Sequence, residues 1–140
     1  MEHLAIISKK GKFLYKILSG EKQIESRWYK FKRPPFGSIS KGDIIYFKES
    51  GEPVSAKANV EKVLTFAELN EKKIKEIIKK YGKKICIDLS YLNQLKSKKY
   101  CILIFLKKPK KIKSFEIDKT GYGNMTAWIS IENINKIKRN

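Results

Sequence analysis

Apolar and polar residues alternate with a period that changes along the chain, and each change predicts an element. Leu4 to Ser8 is a short apolar run that reads as a buried strand, ended by Gly11. From Lys12 onward Phe13, Leu14, Ile17 and Leu18 recur at helical spacing with Tyr15 and Lys16 outside the stripe. Gly20 stands where a left-handed C-cap would end that helix. From Gln23 to Phe31 the period drops to two, with Ile24, Ser26 and Trp28 on one face and Gln23, Glu25, Arg27 and Tyr29 on the other. Lys22 would project oppositely in a regular strand, and it joins Glu25 and Arg27 only across a turn or bulge after Gly20.

Lys30, Lys32 and Arg33 lead into Pro34-Pro35-Phe36-Gly37, where prolines forbid continued pairing and predict a cationic loop. The turn Lys41-Gly42-Asp43 feeds a strand over Ile44–Lys48, and Glu49 to Pro53 is a hairpin loop. Val54 to Val63 returns by alternation, its Ala56 and Ala58 small enough to let something approach closely. Thr65 with Glu68 is a capping-box signature opening a helix to Tyr81, with Leu69, Ile74, Ile77, Ile78 and Tyr81 near one face and Gly82 as its C-cap. Asp88 to Lys96 predicts a short helix, and Tyr100 to Leu106 a central strand broken by Lys107-Lys108-Pro109-Lys110-Lys111. Phe115–Ile117 reads as an edge strand, Gly121 to Met125 as a flexible loop, Thr126–Ile131 as a strand, and Asn135 to Asn140 as a basic, frayed tail. With no internal repeat or low-complexity linker, residues 1–140 are expected to form a single α+β domain whose sheet curls into a small barrel.

The 41% hydrophobic fraction of the 140 residues suffices for one packed core, and the 33% charged fraction belongs on its surface. Lys and Arg number 32 against 14 Asp and Glu, a net charge of +18 that repels itself unless a polyanion screens it. A nucleic acid or nucleotide is the partner this excess suggests, although compositional bias or a thermophile's surface would produce it too. The lysine run around Ile74 and Ile78 reads as a solvated helix face rather than a phosphate grip. Cys86 and Cys101, each flanked by apolar residues, suit buried free thiols and predict no disulfide or metal site. His3 is the only histidine and lies near an end expected to fray, which argues against a zinc hydrolase or a His-based triad. No apolar segment has the length of a signal peptide core or a membrane span, so a soluble, cytoplasmic monomer without cofactor is expected.

One stretch departs from the apolar-and-lysine pattern. In Gly20-Glu21-Lys22-Gln23-Ile24-Glu25-Ser26-Arg27 a lysine, a carboxylate and an arginine fall within six positions, between a helix and a strand, with Trp28 and Tyr29 next. Gly20-x-Lys22-x-x-Glu25-x-Arg27 resembles the signature of ASCH domains, which are related in fold to PUA domains. The order of elements around it is similar too, most closely from Leu14 to Val63. The resemblance implies a PUA-like β-barrel of about five to six strands flanked by two or three helices, with a cleft beside the motif suited to RNA or a nucleoside. Some small bacterial ASCH proteins are amidohydrolases that deacetylate acetylcytidine with a lysine of this motif, a threonine and a distant glutamate. Lys22 matches that lysine, Glu25 stands at the threonine position, and Glu68, Glu71 and Glu76 lie in the region of the glutamate.

A lysine acts as nucleophile or base only when its pKa is lowered, whereas a neighbouring carboxylate holds it protonated. Glu25 beside Lys22 therefore favours a charge network that binds over one that hydrolyses, with Arg27 as a fork for phosphate or a base edge. The competing structural reading is an internal salt bridge that fixes the helix-to-strand corner. Aromatic faces would add base stacking: Tyr29, Tyr46, Tyr122 and Trp128 are candidates, while Trp28 shares the apolar face of Ile24. The expected site is thus Lys22, Glu25, Arg27, Tyr29, Lys30, Lys32, Arg33, Tyr46, Tyr122 and Trp128, with Lys119 to Met125 as a gate. RNA or a nucleotide-like ligand is the expected partner. In the alternative, an amidohydrolase of a modified nucleoside, Lys22 and Glu25 are catalytic; a protein-interaction module is a further alternative.

Overall fold

Six strands pair in the order β2-β5-β4-β3-β1-β6 in the computed structural model, which describes residues 1–123 and 126–139. The strands are β1 (Glu2–Ile7), β2 (Ile24–Tyr29), β3 (Ile44–Glu49), β4 (Val54–Phe66), β5 (Tyr100–Phe115) and β6 (Trp128–Ile131). β1 runs parallel to β3; the other pairs are antiparallel. The sheet curls into a half-barrel accompanied by α1 (Phe13–Ser19), α2 (Glu71–Ile85) and α3 (Leu92–Leu95), an α+β arrangement. Asn124 and Met125 of the expected gate, and Asn140 of the expected tail, lie outside the described residues.

Strand alternation sorts the core into three clusters. Ile45, Phe47, Ala56, Ala58, Val60, Ile102 and Ile104 point into the curl with Leu14 and Ile17 of α1, so the small alanines make room for core side chains. The opposite face of β2 and β5 carries Ile24, Cys101 and Leu103, and α2 covers it with Ile74, Ile77 and Ile78. Near the other end of the sheet Leu4 and Ile129 meet Ile117, Ile134 and Ile137. The C-terminal stretch expected to fray is therefore docked: Ile137 is buried, Ile117 bridges Lys138, and Arg139 N–H donates to Glu116.

Several boundaries differ from the sequence reading for local reasons. Thr65 pairs with Ile102 in the β4–β5 ladder, so it caps no helix; Asn70 is the N-cap of α2, accepting from Lys73 N at 2.8 Å. Gly82 lies inside α2, and Cys86, with φ 68°, is the C-cap. A Cβ on Gly82 would sit 2.6 Å from the Ile87 carbonyl oxygen, so glycine is needed for close approach, not for its turn. β5 continues through the lysine run because β4 extends alongside it, and Pro109 falls where the register shifts and Lys108 takes φ 53°.

Candidate nucleic-acid interface

Two helix ends converge on the motif. α1 stops at Gly20, whose φ of 85° suits glycine and turns the chain so that Lys22 N–H donates back to Lys16 O at 2.9 Å. The last turn of α2 leaves carbonyls without partners in the helix. Gln23 N–H takes Lys84 O at 2.8 Å, and the Lys22 ammonium takes Ile85 O at 2.6 Å. Lys22 thereby sits where two negative helix ends meet, 3.6 Å from Glu25 Oε1 and over the Phe13 ring. Only 4% of Lys22 is exposed, and burial pulls its pKa below the ordinary value, with Glu25 opposing the fall. A turn after Gly20 thus brings Lys22 and Glu25 together, as a closed internal pair.

Arg27 shares the Glu25 face, with Nη2 3.4 Å from Glu25 Oε2. Its other partners are backbone: Nη1 donates to Ala127 O at 3.3 Å and Nη2 to Ile6 O at 3.5 Å. β2 and β6 are the two ends of the strand order, so Arg27 clasps the seam of the half-barrel. Its guanidinium lies 5.1 Å from the centre of the Trp128 ring.

Beside this clasp opens a hollow of about 500 Å³, within the ~300–1,000 Å³ usual for small-ligand sites. Tyr29, Arg33, Tyr122, Thr126 and Trp128 are among its walls. Four expected site residues thus come together there. The Arg33 guanidinium packs 4.3 Å from the Tyr29 ring centre, and the Thr126 hydroxyl donates to Tyr122 O, tying the ends of the loop together. Lys30 lines a smaller hollow of about 200 Å³ with Tyr29, Phe31, Arg33 and Lys98. Lys32 lies over Phe36 and Tyr100. Tyr46 is placed apart from this group: it points away from Phe47, packs on Phe115, and belongs to the third cluster.

Residues 26–42 and 89–115 contain no Asp or Glu. The β2–β5 ladder lays these stretches side by side, with Tyr29 opposite Tyr100 and Lys99 N–H on Tyr29 O. Among the described residues, Lys30, Lys32, Arg33 and Lys98 have no carboxylate partner. The rim is cationic because folding joins two acid-free segments, a signal that either stretch alone does not give.

His3 is the residue the sequence misplaced. β1 lies between β3 and β6, so His3 is wholly buried. Its Nε2 meets Asp43 Oδ2 at 2.8 Å and its Nδ1 meets Ser130 Oγ at 2.9 Å, while Trp128 Nε1 donates to Ser130 Oγ at 3.2 Å. Burial lowers the His3 pKa against the opposing pull of Asp43. The chain of bonds resembles a Ser–His–Asp relay, but Ser130 lines neither hollow, and the relay's outlet is the Trp128 ring it fixes in the larger one. Cys101 is buried with its pKa raised by desolvation, whereas Cys86 is only half-buried, beside Glu21. Among the described residues, no group of three or more His, Cys, Asp or Glu is placed to hold a metal ion, and no helix is long and apolar enough to cross a membrane.

No family model matches the sequence, and no curated protein does either. Solved structures do match. The ASCH protein of Zymomonas mobilis, in a tyrosine-to-phenylalanine variant, superposes with a TM-score of 0.68 at 15% identity, over 95% of this chain and 93% of that one. The crystal structure titled simply ASCH from the same organism gives 0.63 at 17% identity, over 92% and 87%. The hypothetical protein PH0355 gives 0.51 at 19%, over 80% of this chain and 100% of its own. The fold of this chain is therefore that of the ASCH domain proteins.

Proposed function

We propose that this protein binds RNA or a nucleotide-like ligand in the hollow at the barrel seam, beside the Gly20–Arg27 motif. The observation that carries this reading is the union of an aromatic-walled hollow with an acid-free cationic rim. Tyr122, 41% exposed, supplies a face on which a base stacks, Tyr29 and Trp128 back the hollow beneath the Arg33 and Arg27 guanidiniums, and Arg33, over the Tyr29 ring, supplies a fork for phosphate. The net charge of +18 draws the polyanion in from a distance. Lys22, Glu25 and Arg27 do not line this hollow: Arg27 ties the seam beside it, and Glu25 and Arg27 border a separate hollow of about 550 Å³ with Phe13 and Trp28. Burial lowers the Lys22 pKa past the opposing pull of Glu25, so the carboxylate does not hold it protonated as expected; what supports binding over hydrolysis by this residue is its confinement, buried and committed to Ile85 O.

Titration of labelled single-stranded RNA at several salt concentrations tests the proposal. If Lys30, Lys32, Arg33 and Lys98 each neutralise a phosphate, log affinity falls against log salt with a slope of about −3. Arg33→Ala lowers affinity and flattens that slope by about 0.7. Absence of binding at low salt, or affinity that ignores salt, overturns the reading.

A further inference from the structure

Phe31 is 79% exposed, more than any other large hydrophobic residue described. It lies two residues past the end of β2, between Lys30 and Lys32, and lines the smaller hollow with Tyr29, Lys30, Arg33 and Lys98. An aromatic ring left in water costs apolar burial that the fold could have recovered elsewhere. Its neighbours are cations without carboxylate partners among the described residues, so the position offers a π-face amid positive charge. The two hollows share Tyr29 and Arg33, which stack on each other at 4.3 Å and form the ridge between them. The larger, at about 500 Å³, can enclose a base; the smaller, at about 200 Å³, is below the usual ligand range and serves as a ledge.

Resting on the proposed nucleic-acid reading, we infer that the ligand is a single strand that crosses the Arg33–Tyr29 ridge. One base enters the larger hollow against Tyr122, the linking phosphate meets Arg33, and the adjacent base stacks on Phe31. Lys30 and Lys98 flank the strand where it leaves the ledge. Base pairing would hide both faces and edges in a stack, so a duplex cannot present two splayed bases to this surface. A mononucleotide fills only the hollow.

The test compares wild type, Phe31→Ala and Arg33→Ala against uridine monophosphate, hexauridylate and a short RNA duplex, at one low salt concentration. The expected result is tighter binding of hexauridylate than of either other probe. Phe31→Ala should weaken hexauridylate by about 5- to 150-fold, the usual worth of one stacked base, and leave the mononucleotide unchanged. Arg33→Ala should weaken both. The exposure of Phe31 means its alanine variant folds, which circular dichroism checks. If Phe31→Ala binds hexauridylate like wild type while Arg33→Ala weakens it, the second base position is refuted and the nucleic-acid reading stands. Duplex binding as tight as the single strand also refutes the inference. If neither probe nor duplex binds wild type, the nucleic-acid reading itself falls.

Discussion

Lys22→Met separates a structural lysine from a functional one. The substitution keeps an unbranched apolar stem and removes the ammonium. At 3.6 Å from Glu25 and an effective dielectric of ~20, that ammonium gains about 5 kcal/mol of attraction, and its bond to Ile85 O contributes about 1.5–3 kcal/mol more. Against this stands a desolvation cost of several kcal/mol, whose weight is visible in the lowered pKa of Lys22. These terms nearly offset each other, so the net loss depends on what is left unpaired. Glu25 keeps Arg27 at 3.4 Å and the Ser26 N–H at 3.1 Å, while Ile85 O loses its donor. The expected destabilisation is therefore about 2–3 kcal/mol, below the ~3–5 kcal/mol of a fully orphaned buried charge, or roughly 10 °C in Tm. Urea unfolding followed by circular dichroism measures it, and RNA titration of the folded variant should give wild-type affinity. A loss under about 0.5 kcal/mol, or intact stability with binding reduced more than about tenfold, would refute the assignment of Lys22 to the corner.

Other outcomes follow from single contacts. Arg33→Ala should flatten the salt dependence of RNA affinity by about 0.7 in slope, while thermal stability stays within about 0.5 kcal/mol because the side chain is exposed; an unchanged slope would remove Arg33 from the phosphate path. His3 binds its proton less tightly folded than unfolded, so stability is full above its ordinary pKa of 6.5 and declines as pH falls below that value. Unfolding curves at about pH 8 and about pH 5.5 should show the decline, and His3→Asn should reduce it; an equal decline in the variant would assign it to other groups. Gly82→Ala should destabilise by about 1–2 kcal/mol despite a helix-propensity gain of about 1 kcal/mol, since its Cβ meets backbone at 2.6 Å. A stabilised variant would show that the Ile87 carbonyl can move aside.

Helix α1, its Gly20 cap and strands β1, β2 and β3 were legible because short-range period and one turn residue decide them. The Glu25–Arg27 face followed from alternation alone. Thr65 and Pro109 misled for a common reason: each carries a local signal that a long partner strand overrides, and β4 and β5 stabilise each other well past the point where either would persist alone. The burial of His3 is not visible in sequence because nearness to the N-terminus says nothing of place in the sheet, where β1 gains partners on both edges. At the candidate site, residue type gave Arg33, Tyr29, Tyr122 and Trp128, but not that Tyr46 points to the opposite side of the sheet. Phe31 carries no signal of its own, since an exposed aromatic looks, in sequence, like a buried one. The motif itself was legible as chemistry, yet whether its charges face a cleft or one another depends on α2, whose last turn arrives some sixty residues later.

The clasp across the seam also sets an order of events. Arg27 reaches a carbonyl 100 residues along the chain, and His3 reaches a serine 127 residues along it. Closing loops of that length comes late in folding, after local helices and the β3–β4 hairpin have formed. During synthesis the cationic loop is therefore made long before the walls that would enclose a base, and an early ribosomal product carries the charge without the hollow. On the proposed nucleic-acid reading, attraction for polyanions precedes selectivity for them, and β6 is the segment whose arrival turns one into the other.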